Sequence, residues 1–84
     1  MNNIELKDTV ELMVSEKYKD RFKAEYYQTK VRYEKLHKML IKYEAGTLNF
    51  ELGCPPEILE KQACFMGNYL KILEIRAEIE KIEL

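Results

Sequence analysis

Between Ser15 and Gly46 the chain reads SEKYKDRFKAEYYQTKVRYEKLHKMLIKYEAG, with no proline and no interior glycine. A serine can cap a helix start by accepting from its free N–H groups. A glycine supplies the left-handed residue that ends one. The stretch therefore reads as one helix over 16–45, and at ~1.5 Å per residue it is a rod of roughly 45 Å. So long a rod in an 84-residue chain cannot be wrapped by the rest of its own protein. It must lie along another helix.

The apolar pattern supplies the seam. Phe22, Tyr26, Thr29, Tyr33, Leu36, Leu40 and Tyr43 recur in steps of four and three, with Met39 widening the row, the spacing of a coiled-coil stripe. A second, weaker stripe runs through Tyr27, Val31 and Ile41. One neighbour needs one stripe, so the second implies a further contact, with the N-terminal segment or with another copy.

Pro55 and Pro56 open the second long helix, read over 57–83, because proline is tolerated in a first turn. This helix carries two adjoining stripes: Leu59, Ala63, Met66, Leu70, Leu73 and Ala77, then Ile58, Phe65, Tyr69, Ile72, Ile79 and Ile82. One partner cannot cover both. The expected architecture is all-α: a long antiparallel two-helix hairpin, with a short N-terminal helix over about 9–14, assembling into a homo-oligomeric helical bundle of two or more chains. Tyr27, Val31, Ile41, Phe65, Ile72 and Ile79 are the expected interface between subunits. Residues 1–7 read as a lead-in, and Asp8 and Glu11 have capping-box spacing. Residues 1–14 fold back on the long helix or reach a neighbouring subunit as a swapped arm. The linker 46–56 alternates Leu48, Phe50 and Leu52 with polar residues, so one side is expected to plug the end of the hairpin.

Several function classes drop away. Apolar runs fall short of the ~18 residues of a membrane span. Three glycines in the whole chain leave no phosphate-cradling loop. Cys54 and Cys64 are ten apart with no histidine at metal spacing, and His37 has no nucleophile or carboxylate placed to form a dyad. The chain reads as a non-enzyme with no cofactor and no metal, and the unpaired thiols suit a reducing cytoplasm. Net charge is −1, which makes nucleic acid the weakest of the candidate partners. The charge is uneven, however. Residues 16–45 carry nine Lys/Arg against five Asp/Glu, and residues 57–84 carry four against six.

Arg76, Gln62 and nearby Asn68 interrupt the stripes of the second helix. In an antiparallel hairpin Arg76 is expected beside Glu25, Tyr26 and Thr29, Tyr69 beside Tyr33, and Gln62 beside Leu40. A buried arginine needs a partner, here Glu25 or a tyrosine hydroxyl. Arg76 and Gln62 then form either a polar layer that fixes register or part of a ligand pocket at a subunit junction. The pocket candidates are Arg32, Tyr33, Tyr69 and Arg76, with Lys30 as an outer charge. Tyrosine faces can stack on bases and Arg or Lys can meet phosphates.

The runs YKDRFKAEYYQTKVRYEKLHKML, YEAGTLNF and CPPEILEKQACFMGNYLKILEIRAEIE resemble a set of small proteins from phages and prophages of gut bacteria, the crAss-phage-related proteins. The pattern falls on Ile58, Leu59, Gln62, Met66, Tyr69, Leu70, Leu73 and Arg76, with Ile58 where a leucine is usual. The resemblance spans roughly 8–84 and implies an accessory phage product acting in the host cytoplasm. A looser architectural similarity is to phage sponge proteins that sequester cyclic nucleotide immune signals at subunit junctions. The implied function is a non-enzymatic anti-defence protein. Its target is a cyclic nucleotide or a host defence protein, the latter as in anti-CRISPR proteins that dock an apolar helix face. A small structural or assembly protein without a ligand is the remaining reading.

Overall fold

The computed structural model describes residues 4–84. It is all-helical, and no strand occurs among the described residues. A 3-10 turn, Leu6–Thr9, leads into the single-turn helix α1, Val10–Met13. The long helices follow: α2, Tyr18–Ala45, and α3, Pro56–Glu80. α2 and α3 lie against each other as a hairpin, giving a body 43 × 24 × 24 Å.

The helix ends are made by local chemistry, in places one turn from where the sequence put them. The first box pairs Glu5 with Asp8, the Glu5 N–H donating to Asp8 Oδ2 at 2.9 Å. α2 begins at Tyr18, with Lys17 rather than Ser15 at the cap position. Ser15 still shapes the entry: its hydroxyl donates to Asp20 Oδ2 at 2.8 Å and accepts from the Lys17 N–H at 3.1 Å. Gly46 closes α2 with φ 77°. The Gly46 N–H donates back to the Tyr43 carbonyl at 3.1 Å and the Thr47 N–H to the Lys42 carbonyl at 2.9 Å. α3 ends in the same way through Lys81, at φ 59°, and the Ile82 N–H donates to the Ala77 carbonyl at 2.9 Å. That reversal turns Ile82 back into the core.

The core is Phe22 and Tyr26 of α2 against Leu70, Leu73 and Ala77 of α3, closed by Ile82. It sits at the open end of the hairpin; towards the linker only Leu40 is fully covered. The two stripes of α3 separate cleanly. Leu59, Ala63, Met66, Leu70, Leu73 and Ala77 are buried or half-buried, whereas Ile58, Phe65, Tyr69, Ile72 and Ile79 are exposed. Ile82 leaves its stripe because the chain turns at Lys81. Phe50 is also exposed. The linker therefore does not seal the hairpin end with it, although Leu48 and Leu52 are half-buried.

The N-terminal segment packs on α2 of its own chain. Gln28 fixes it, its Nε2 donating to Thr9 Oγ1 at 2.9 Å and lying 3.4 Å from Met13 Sδ. The N-terminal segment thus meets α2 of its own chain over residues 6–13; residues 1–3 lie outside the described residues. Tyr27 packs against the core and Val31 is half-buried, leaving Ile41 as the freely exposed member of the second α2 stripe.

Candidate functional site

The level at which α2 and α3 meet decides which side chains can act together. Tyr33 lies over Gly67, with its ring atoms 3.5–3.7 Å from where a β-carbon at residue 67 would stand. The Tyr26 hydroxyl donates to Glu74 Oε2 at 2.7 Å. Lys19 Nζ reaches the Lys81 carbonyl at 3.4 Å. Tyr33 is thus level with Gly67, not with Tyr69, a shift of two residues from the expected pairing. Two residues are more than half a helical turn, so the shift changes which flank each side chain occupies. At this level the Tyr33 ring packs beside Gly67 and the buried Tyr26 hydroxyl meets Glu74.

Arg76 moves with this register. It is not buried: its side chain is 45 % exposed, and its Nε donates to Glu80 Oε2 at 3.2 Å. Its NH2 group donates to the Tyr18 hydroxyl at 2.9 Å, and that hydroxyl donates on to Glu80 Oε1 at 2.7 Å. The guanidinium also stands 5.0 Å from the centre of the Phe22 ring. The partner is therefore a tyrosine hydroxyl and a carboxylate of its own helix, and not Glu25. Gln62 and Asn68 are exposed as well, so these polar residues are not a buried layer. The triad has mutual effects. The hydrogen bond from Tyr18, then that from Arg76, holds the Glu80 carboxyl below its ordinary range. The bond to Glu80 raises the Tyr18 hydroxyl, and the bond to Glu80 also raises the Arg76 guanidinium.

The five residues singled out as ligand contacts fall into two groups. At 100° per residue, Lys30 and Tyr33 lie on one flank of the α2–α3 seam. Arg32 lies on the other, the flank on which Arg76 meets Tyr18 and which Tyr69 shares at a spacing of seven from Arg76. The structure brings Lys30 and Tyr33 together and does not join them to Arg32, Tyr69 and Arg76.

The Lys30–Tyr33 flank is concave. A groove of about 220 Å³ is lined by Tyr26, Lys30, Tyr33, Glu34, Gly67, Leu70, Lys71 and Glu74. Lys30 and Lys71 supply two cations against the carboxylates of Glu34 and Glu74, the latter bonded to the Tyr26 hydroxyl, and Lys30 Nζ stands 5.7 Å from the Tyr26 ring centre. Tyr33 is stacked on His37, with centroids 5.8 Å apart and planes 14° from parallel. Burial, and then the bond to Glu74, pushes the Tyr26 hydroxyl well above its ordinary value, so it remains a donor. Lys71 and Gly67 were not singled out in the sequence. Gly67 had a signal, as a glycine inside a helix that costs roughly 1 kcal/mol against alanine.

Two larger recesses suit an anion less well. One of about 650 Å³ in the linker includes Tyr43, Leu48, Phe50, Leu52 and Pro55, with Glu51 as the one charged residue of its lining. The other, about 700 Å³ at the C-terminal end, sets Glu74, Glu78 and Glu83 against a single lysine, Lys81. No group of His, Cys, Asp and Glu able to hold a metal occurs among the described residues.

A family model described as Sequestin matches residues 16–79, which covers α2, the linker and nearly all of α3. The chain belongs to the Sequestin family. The matched span of this Sequestin chain holds the groove entire and leaves out the N-terminal segment packed on α2. No curated protein and no solved structure matches the chain. Membership of the Sequestin family is compatible with a sequestering or binding role. No helix among the described residues is long and apolar enough to cross a membrane.

Proposed function

We propose that this chain is a non-enzymatic, phage-encoded binding protein that counters host antiviral defence by sequestering a cyclic nucleotide immune signal. It works as a homo-oligomer in the host cytoplasm. The observation that carries the reading is the Sequestin match across both long helices, joined to a groove of tyrosine and lysine that the same helices form. Stacking of a base on an aromatic face contributes about 1–3 kcal/mol; Tyr33 is already stacked on His37 on one side, and the base is assigned to its other side. Lys30 and Lys71 flank it and can meet phosphate oxygens. A groove of about 220 Å³ is smaller than the ~300–1,000 Å³ of pockets that enclose a whole ligand. It holds one base and its phosphate and leaves the rest of a cyclic nucleotide exposed.

A melting panel with cyclic di- and trinucleotides tests the reading. A ligand at 100 times its dissociation constant adds about 2.7 kcal/mol, which moves the melting temperature of so small a domain by roughly 10 °C or more. One nucleotide should give that shift, and Tyr33→Ala with Lys71→Ala should remove it. A flat panel at high ligand concentration counts against a nucleotide.

A second reading, inhibition of a host defence protein by a docked helix face, is favoured by the exposed apolar row of α3. The stripe Tyr27, Val31 and Ile41 serves it poorly, since two of the three are partly covered.

A further inference from the structure

α3 presents an apolar row that its own chain leaves largely exposed. Ile58 is 52 % exposed, Phe65 70 %, Ile72 54 % and Ile79 74 %, with Tyr69 and Ile75 alongside at 41 % and 46 %. Together these fractions leave several hundred Å² of largely apolar surface on one face. Soluble monomers rarely leave so large a patch open. A stable interface takes about 800 Å² from each partner.

We infer that this face pairs α3 with α3 of a second copy, antiparallel and about a two-fold axis. The inference rests on the homo-oligomer reading above and assigns its face. Ile58, Phe65, Ile72 and Ile79 are spaced by seven, a row that winds slowly about the helix and is followed by another helix in a left-handed supercoil. The occupant is therefore a helix about 30 Å long. The row is its own complement when reversed. With the axis between Asn68 and Tyr69, Ile58 of one copy lies level with Ile79 of the other, and Phe65 with Ile72. That self-complementarity is what an isologous interface requires. The parallel arrangement would set Arg76 against Arg76 in the same layer. The antiparallel one sends the two arginines to opposite ends, each level with Lys61 of the other copy but with its charge already paired to its own Glu80 and its NH2 group held by Tyr18.

The pairing also sorts the two flanks. Tyr69 enters the interface near the axis, and the groove of Lys30, Tyr33 and Lys71 lies on the far side of α3 and stays open. Each dimer thus carries two grooves that face outwards, one for each chain.

The test is mass in solution together with cross-linking. The wild-type chain, 10.1 kDa, should run at twice that mass at micromolar concentration. Phe65→Glu with Ile72→Glu should run as a monomer with unchanged helical circular dichroism. A monomeric wild type overturns both this inference and the homo-oligomer reading, and leaves the face to a host protein. A double variant that keeps the wild-type mass overturns the assigned face alone. Orientation is read in a chain with Cys54→Ser and Cys64→Ser. There, Ile58→Cys and Ile79→Cys chains should form a disulfide when mixed and little when oxidised apart. Disulfides between like chains instead overturn the antiparallel pairing.

Discussion

Tyr33 of α2 rests over Gly67 of α3, its Cε1 3.5 Å from where a β-carbon at that position would stand. An alanine there would make an ordinary van der Waals contact with the ring. Gly67→Ala should therefore stabilise the hairpin by about 0.5–1 kcal/mol, the difference between the two residues within a helix. Thermal melting measures it directly. A larger side chain fills the groove instead. Gly67→Leu should keep the helical signal and weaken nucleotide binding at least ~10-fold, read by calorimetric titration.

The Tyr18–Arg76–Glu80 triad fastens the open end of the hairpin, joining the first turn of α2 to the last turn of α3. The Glu80 carboxyl is held below its ordinary 4.5 in the folded state. Its stabilisation is thus complete above pH 4.5 and is lost as pH falls through the folded value. Melting temperatures measured from about pH 6 down to about pH 3 should fall less steeply for Glu80→Gln than for the wild type. At neutral pH the variant should be the less stable of the two.

Tyr26 gives the opposite sign. Burial and the bond to Glu74 raise its hydroxyl above the ordinary 10.0, and the bond to Glu80 raises that of Tyr18. Each contribution is complete below pH 10 and is lost as pH rises beyond it. In an alkaline titration of tyrosinate absorbance, a late component should appear together with unfolding. Tyr26→Phe should remove part of it and flatten the loss of stability at high pH.

Much of the fold was legible because its punctuation is strong. Gly46, Pro55 and Pro56 mark where α2 ends and α3 begins, and the four-three spacing of Phe22, Tyr26, Tyr33 and Leu40 marks a seam. The two stripes of α3 could be read from the sequence, and the structure buries one and exposes the other apart from Ile82. The site was less legible because it depends on the level at which the helices meet. A ten-residue linker leaves that level open by two residues, and this is enough to place Tyr33 beside Gly67 and Lys71 and to leave Tyr69 on the other flank. Arg76 was misread for a related reason. Its place in an apolar row suggested burial, yet the row is the outward one, and Glu80 one turn on supplies the partner. Ser15 reads as the cap in sequence, yet Lys17 holds that position, because the Ser15 hydroxyl is taken by Asp20, five residues ahead.

Sequestration without turnover can be read by equilibrium dialysis of the protein against labelled cyclic nucleotides. Uptake of one nucleotide should be saturable and in proportion to the chain, with the ligand recovered chemically intact when the protein is heat-denatured. Uptake should fall in Tyr33→Ala and Lys71→Ala chains. Absence of uptake across the cyclic di- and trinucleotides, or recovery of a linear product, would contradict it.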